Sequence, residues 1–244
     1  LRYAFMVRPF FSPRVPTATA EADGALAQAS EAAAEASARC LAAQSGRGEA
    51  RRRAMLEAAA SLFLERGFEG TTLADVVKCS GGSLATLYAW FGSKEGLFEA
   101  IVGEVSAQMV EPLDEPAFES LPIDQALRAF GVSFLTRILE PETLRWHRMC
   151  LAEGHKYPEL RTALMRTGPG RVRERLAAYL ETQVQAGRLN APDPMGAATH
   201  FFALVKSEQH TAAMCGEPIE LSADELRSHV ARAVDVFLYG YSAT

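Results

Sequence analysis

The 244-residue sequence has no run of 18 or more apolar residues, so no transmembrane helix is expected. No secretory leader is expected: Phe5-Met6-Val7 is too short an apolar core, and Pro9, Pro13 and Pro16 interrupt the segment after it. The expected compartment is therefore the cytoplasm. Cysteine is scarce. Cys40, Cys79, Cys150 and Cys215 lie far apart without a CxxC pair, and they read as reduced thiols rather than a disulfide framework. A redox switch at Cys79 has no visible partner. The chain also lacks an alternating β-pattern of useful length, a paired-carboxylate constellation, a Gly-rich phosphate loop and a nucleophile triad. Nothing calls for a cofactor, and no enzyme is expected. A basic balance is missing too: net charge is −5. Average charge is a poor guide, however, where binding uses one small face.

What is present is helical and ordinary for a globular protein, 48% hydrophobic and 23% charged. Residues 1–46 stand apart. Leu1 to Ala20 is Pro-punctuated and aperiodic, and Glu21 to Ser45 is Ala-rich with only Leu26 and Leu41 as large apolar side chains. A helix with no face to bury is marginal in water, so this arm is expected to be disordered or loosely helical. Leu1 in place of Met suggests a non-standard start or a trimmed chain, with Met6 as a later start.

Regular patterning begins at Arg51. Met55, Ala58, Ala59, Leu62 and Phe63 recur at helical spacing, and Gly67 ends that helix. Thr72-Leu73-Ala74-Asp75 is a capping box opening a short helix that buries Leu73, Val76 and Val77. Ser80-Gly81-Gly82 breaks it, Ser83 to Phe91 is the next helix, Ser93 caps a longer one, and Pro112 and Pro116 close this first domain. Further helices are expected over 124–139, 142–153, 159–167, 171–186, 194–215 and 223–241, with a break at Gly168-Pro169-Gly170 and a second capping box at Ser222 to Glu225. The expected fold is all-α: an N-terminal three-helix helix-turn-helix domain (47–108) and a C-terminal helical domain (109–244).

Two short helices joined by a Gly-Gly turn present the second to the DNA major groove. Leu87 anchors that helix, leaving Ser83, Thr86 and Tyr88 for bases and phosphates. Lys94, at the first turn of the following helix, suits a phosphate oxygen. Arg51, Arg52 and Arg53 are the densest basic cluster. Read as the start of a helix they oppose its dipole, which points to an external anion; the plainer reading is a solvated charge run paired with Glu49 and Glu57. For the whole segment the plain alternative is a three-helix bundle with solvated Thr and Tyr.

The stretch ERGFEGTTLADVVKCSGGSLATLYAWFGSKEGLFEAIV resembles the DNA-binding domain of the TetR family of transcriptional regulators over roughly residues 50 to 105. The RGFEGTT start, the TLYxxF helix and the SKEGLF segment stand in the family's order. The resemblance implies that Thr71, Thr72, Ser83, Leu84, Ala85, Thr86, Tyr88 and Lys94 face DNA. Leu73 and Leu84 depart from the polar or basic residues common there, so thymine methyls or DNA shape carry more of the expected specificity. LRWHRMCLAEGHKYPEL and QAGRLNAPDP resemble, more weakly, the AcrR/AefR-type regulatory domain. The resemblance implies a homodimer through the last two helices, a near-palindromic double-stranded DNA operator and a small-molecule effector that releases it. Two long amphipathic helices at the chain end also need burial, which a four-helix bundle across a two-fold axis provides.

Phe130, Phe134, Trp146, His147, Met149, Cys150, Phe201, Phe202 and His210 are the candidates for an effector cavity, suited to an apolar or aromatic molecule. Singly each reads as core; the resemblance favours a cavity for the set. His147, Cys150, Glu153 and His155 are close in sequence, but Gly154 interrupts the face, so no metal site is expected. Gly81 to Ala85 imitates a nucleophile elbow without the strand such an elbow needs. The alternatives are a DNA-binding regulator without a ligand and a helical metal-dependent sensor or enzyme.

Overall fold

Alanine has the highest helix propensity, and the Ala-rich stretch before Arg51 joins the helix after it. In the computed structural model α1 runs unbroken over Ala25–Arg66. The structure describes residues 25–219 and 221–242, and for residues 25–45, 116, 117, 159 and 207 the backbone alone. Of the expected N-terminal arm, residues 1–24 lie outside the described residues and 25–46 are the first turns of α1. Every regular element among the described residues is helical. The chain divides into two compact units within α4, one ending at Leu97 and the other beginning at Phe98, rather than after residue 108.

In the first unit α1 buries Met55, Leu56, Ala59, Leu62 and Phe63, while Ala58 is only partly covered. Gly67 takes a left-handed φ of 75° and turns the chain towards α2 (Leu73–Ser80) and α3 (Leu84–Phe91). Val76, Leu87 and Phe91 complete this core with Phe68, whose ring stacks on Phe63 at 5.4 Å.

The helix α4 spans Lys94–Asp114 and contains Pro112. Pro112 stands in its last turn. The second unit continues with α5 (Pro116–Ser120), α6 (Ile123–Ile138), α7 (Pro141–Gly154) and α8 (Pro158–Met165). A π-turn at Arg166–Gly170, with Gly168 off helical geometry, forms the expected break and leads into α9 (Arg171–Gln185). Then come α10 (Pro194–Cys215), with Pro194 in its first turn, and α11 (Ala223–Gly240), opened by the Ser222–Glu225 capping box.

The core of this unit lies between α6, α9, α10 and α11 around Leu127, Phe130, Leu135, Leu176, Leu180, Phe201 and Phe237. Gly131 of α6 permits the closest approach: a Cβ there would stand 2.7 Å from Val230 Cγ1 of α11. Arg128 pairs with Asp235 across the same crossing. The Arg148 guanidinium on α7 donates to the Met214 carbonyl at 3.1 Å, capping the C-terminal turn of α10.

Candidate nucleic-acid interface

The turn between α2 and α3 is set by caps at both helix starts. The Thr72 hydroxyl accepts from the Asp75 amide at 3.1 Å, and the Asp75 carboxylate accepts from the Thr72 amide at 3.3 Å. The Thr72 hydroxyl, donating to the Asp75 carboxylate at 2.7 Å, and then the Thr72 amide, with Arg66 nearby, hold the Asp75 carboxyl below the usual carboxylate range. Ser83 Oγ accepts from the Thr86 amide at 3.1 Å and lies 2.9 Å from the Thr86 hydroxyl. Gly82, at φ 100°, is favoured by its left-handed conformation, and a Cβ there would press on the tip of Met55, 2.7 Å from Cε. Leu87 then fixes α3 from beneath with no exposed surface.

Two residues expected to face DNA are engaged by the chain's own backbone. Thr71 is 1% exposed, and its hydroxyl donates to the carbonyls of Leu62 (3.1 Å) and Gly67 (2.9 Å). The Lys94 ammonium donates to the carbonyls of Phe68 (2.8 Å), Thr71 (3.0 Å) and Glu69 (3.5 Å). An ammonium has three donors, and here three carbonyls take them. Thr71 and Lys94 therefore fasten the loop between α1 and α2. The N-terminus of α4 already has an anion as well: the Ser93 hydroxyl, and then its own amide, hold the Glu95 carboxyl below its ordinary range.

The surface of α3 that Leu87 and Phe91 leave in solvent is uncharged. Leu84 is 42% exposed and Tyr88 53%, with Ala85 and Ala89 exposed beside them. Trp90 is 38% exposed at the edge of this surface, its ring perpendicular to Phe91. Trp90 and Ala89 are not among the contacts expected from the sequence. Their signal is helical spacing from Ala85 and Leu87, masked by the usual assignment of Trp to a core.

Arg51 is exposed, and its Cδ lies 3.6 Å from where a Gly82 Cβ would stand, so its stem passes the start of α3. Arg52 turns elsewhere, 5.6 Å from the Phe91 ring centre and 3.7 Å from Glu49. The dipole argument for this cluster fails: α1 begins at Ala25, which puts Arg51, Arg52 and Arg53 inside a helix.

In the second unit the aromatic candidates are brought together as core. Phe130 and Phe201 have no exposed surface, and the rings of Phe130, Phe134, Phe201 and Phe202 meet at centroid distances of 4.6 to 6.1 Å. Trp146 packs on Phe98 at 5.9 Å. His147 and His210 meet separately, Nδ1 to Nε2 at 3.3 Å. Burial, and then the neighbouring charges of His210 and Lys206, bring the His147 pKa down to about 4. Burial pushes the Cys150 thiol up to about 12. A cleft of 310 Å³ between α9 and α10 is lined by Glu174, Glu181, Asp193 and Met195, among others, and by none of the expected effector residues. Among the described residues no three His, Cys, Asp or Glu side chains converge as metal ligands, and no helix is long and apolar enough to cross a membrane.

A short helix braced from below, capped at its start and offered to solvent over a helical platform defines a helix-turn-helix DNA-binding protein. Residues 55–101 match the family described as bacterial regulatory proteins, tetR family, and residues 125–243 match the AefR-like transcriptional repressor, C-terminal domain. The chain belongs to the TetR family of helix-turn-helix transcriptional repressors. It is 49% identical to the HTH-type transcriptional repressor ComR of Escherichia coli over 51 residues, 21% of this chain and 24% of that one. It is 23% identical to the HTH-type transcriptional regulator YhgD of Bacillus subtilis over 137 residues, 56% of this chain and 69% of that one. Among solved structures, the flavonoid-responsive regulator FrrA superposes with a TM-score of 0.68 at 29% identity, covering 79% of this chain and 97% of that one. A TetR transcriptional regulator from Agrobacterium tumefaciens shares the fold, with a TM-score of 0.62 at 22% identity over 79% of this chain and 95% of that one.

Proposed function

We propose that the protein is a homodimeric repressor that holds a near-palindromic operator and releases it when a small aromatic molecule binds the C-terminal unit. The observation that carries the DNA reading is the outer surface of α3, where Leu84 and Tyr88 are exposed on a helix fixed by Leu87. Large apolar side chains held in solvent on a braced helix need a partner, and thymine methyls and sugar edges provide one. Arg51, Thr72, Ser83, Leu84, Ala85, Thr86 and Tyr88 form the contact surface. Arg52, Thr71 and Lys94 hold it in position. With the Thr72, Ser83 and Thr86 hydroxyls engaged in caps, apolar contact and DNA shape carry more of the readout than direct hydrogen bonds.

Val236 (59% exposed) and Tyr239 (88%) on α11 support a dimer through α10 and α11. Such a dimer presents two recognition helices about 34–36 Å apart, or a multiple of it. An operator-binding repressor works where the DNA is, in the cytoplasm. The likeness to FrrA, flavonoid-responsive by name, supports an aromatic effector. Phe134, Trp146, His147, Cys150 and His210 would meet it, with Phe130 and Phe201 as the core behind. The effector shifts operator affinity only by its differential affinity for the two states. A regulator without a ligand is the second reading, favoured by the direct packing of those phenylalanines on one another.

Selection of random duplex DNA by the purified protein, followed by sequencing, tests the main reading. An enriched inverted repeat is the expected outcome. A folded dimer that enriches nothing would remove the DNA assignment of α3.

A further inference from the structure

We propose that the effector carries an anionic group and that Lys206, Arg173, His147 and His210 receive it. This rests on the reading that the C-terminal unit binds an effector, and it adds the chemistry of that molecule.

Three helices contribute. His147 comes from α7, Arg173 from α9, and Lys206 and His210 from α10. Lys206 and His210 are four residues apart and share one side of α10. His210 Nε2 reaches His147 Nδ1 at 3.3 Å, the two rings meeting nearly perpendicular at 5.4 Å. Lys206 Nζ lies 5.7 Å from the Phe134 ring centre, which places an aromatic wall beside the charge. The Arg173 Nε is buried without an acceptor.

All the charge in this cluster has one sign. The groups that act on His147 are His210 and Lys206; Lys206 acts on His210, and Arg173 acts on Lys206. Burial, the larger effect, and these like charges move all three below their ordinary values. No carboxylate pairs with Lys206 or Arg173 among the described residues, although the chain has 30 acidic residues. Glu153 of α7 stands six residues past His147, about 9 Å along the helix, and pairs with none of the four. Cys150, one turn from His147, is a neutral thiol. Half-buried like charges drawn together without a counterion are unfavourable unless an anion joins them. A planar acid fits best: its carboxylate or phenolate accepts from Lys206 and Arg173 while its ring lies against Phe134. Its arrival favours protonation of the two imidazoles.

The test is isothermal titration of the full chain at pH 7 with 2-naphthoate and with 2-naphthamide, repeated in buffers of different ionisation enthalpy. The naphthoate is expected to bind at least about tenfold more tightly than the amide and to take up protons from the buffer. Lys206→Met and Arg173→Met should each weaken naphthoate about tenfold, leave the amide unchanged, and melt no lower than the parent. The proposal is overturned if acid and amide bind equally, if neither variant discriminates between them, or if the acid fails to bind below about 1 mM. Operator release is read separately. Charge-dependent binding that leaves the operator bound supports the anion site and removes its effector role. Release driven equally by the amide keeps the effector reading and overturns the anionic one.

Discussion

Lys94 holds Phe68 in two ways: its ammonium donates to the Phe68 carbonyl at 2.8 Å and sits 4.4 Å from the centre of the Phe68 ring. A third link, to the Thr71 carbonyl at 3.0 Å, fixes the chain where it enters α2. Lys94→Met keeps the stem and leaves these carbonyls without their donor. It is expected to lower unfolding stability by about 1–3 kcal/mol in urea titration. A Met variant as stable as the parent that nevertheless loses operator affinity would return Lys94 to the phosphate contacts.

The two sides of α3 separate stability from DNA binding. Leu87→Ala empties a fully buried position and should cost about 2–5 kcal/mol of stability. Tyr88→Ala, at an exposed position, should leave stability within about 0.5 kcal/mol. The same change should weaken operator binding by about 1–3 kcal/mol, measured by fluorescence anisotropy. Equal operator affinity for Tyr88→Ala and the parent would place the contact surface elsewhere.

The helix-turn-helix is legible in the sequence because its parts are local. The Thr72–Asp75 and Ser222–Glu225 boxes, the anchor Leu87 and the glycine turn depend on residues three or four apart, and the structure has each of them. The backbone contacts of Thr71 and Lys94 are not legible in the sequence for the opposite reason. Their partners, Leu62 O and Phe68 O, lie 9 and 26 residues away, and spacing along the sequence does not reveal such contacts. The Ala-rich start of α1 is underestimated when a helix without an apolar face is judged on burial alone. The cations near His147 escape a sequence reading, since one Lys and one Arg on separate helices carry no periodic signal.

Gly131 tests how closely α6 and α11 pack. An added methyl would stand 2.7 Å from Val230 Cγ1 and 3.5 Å from the Phe201 ring, both within the buried core. Gly131→Ala gains helix propensity but overpacks the crossing. The net expectation is a loss of about 1–3 kcal/mol in denaturant unfolding, partly recovered by Val230→Ala in the same chain. If Gly131→Ala is neutral and the double variant merely adds the cost of the cavity, the two helices are not in tight contact there.

The buried imidazole of His147 makes stability depend on pH in a predictable direction. Burial and the positive neighbours bring its pKa to about 4 in the folded chain, from an ordinary 6.5. Between these values the unfolded chain holds a proton that the folded chain lacks, so unfolding is favoured as pH falls. Stability should therefore be full above pH 6.5, decline by up to about 1.4 kcal/mol per pH unit below it, and lose about 3 kcal/mol in all by pH 4. His210, lowered in the same direction by burial and Lys206, steepens the slope. The capping carboxylates Asp75 and Glu225 are depressed below ordinary carboxylate values, so their contributions are lost only at lower pH, whereas burial raises Glu140 and Glu142, which oppose the histidines as pH falls and are common to parent and variant. Urea midpoints across that window should flatten in His147→Gln, while the variant's stability at pH 7 changes little. An unchanged slope in His147→Gln would mean that His147 is not held neutral, and the balance of charge around Lys206 would have to be drawn differently.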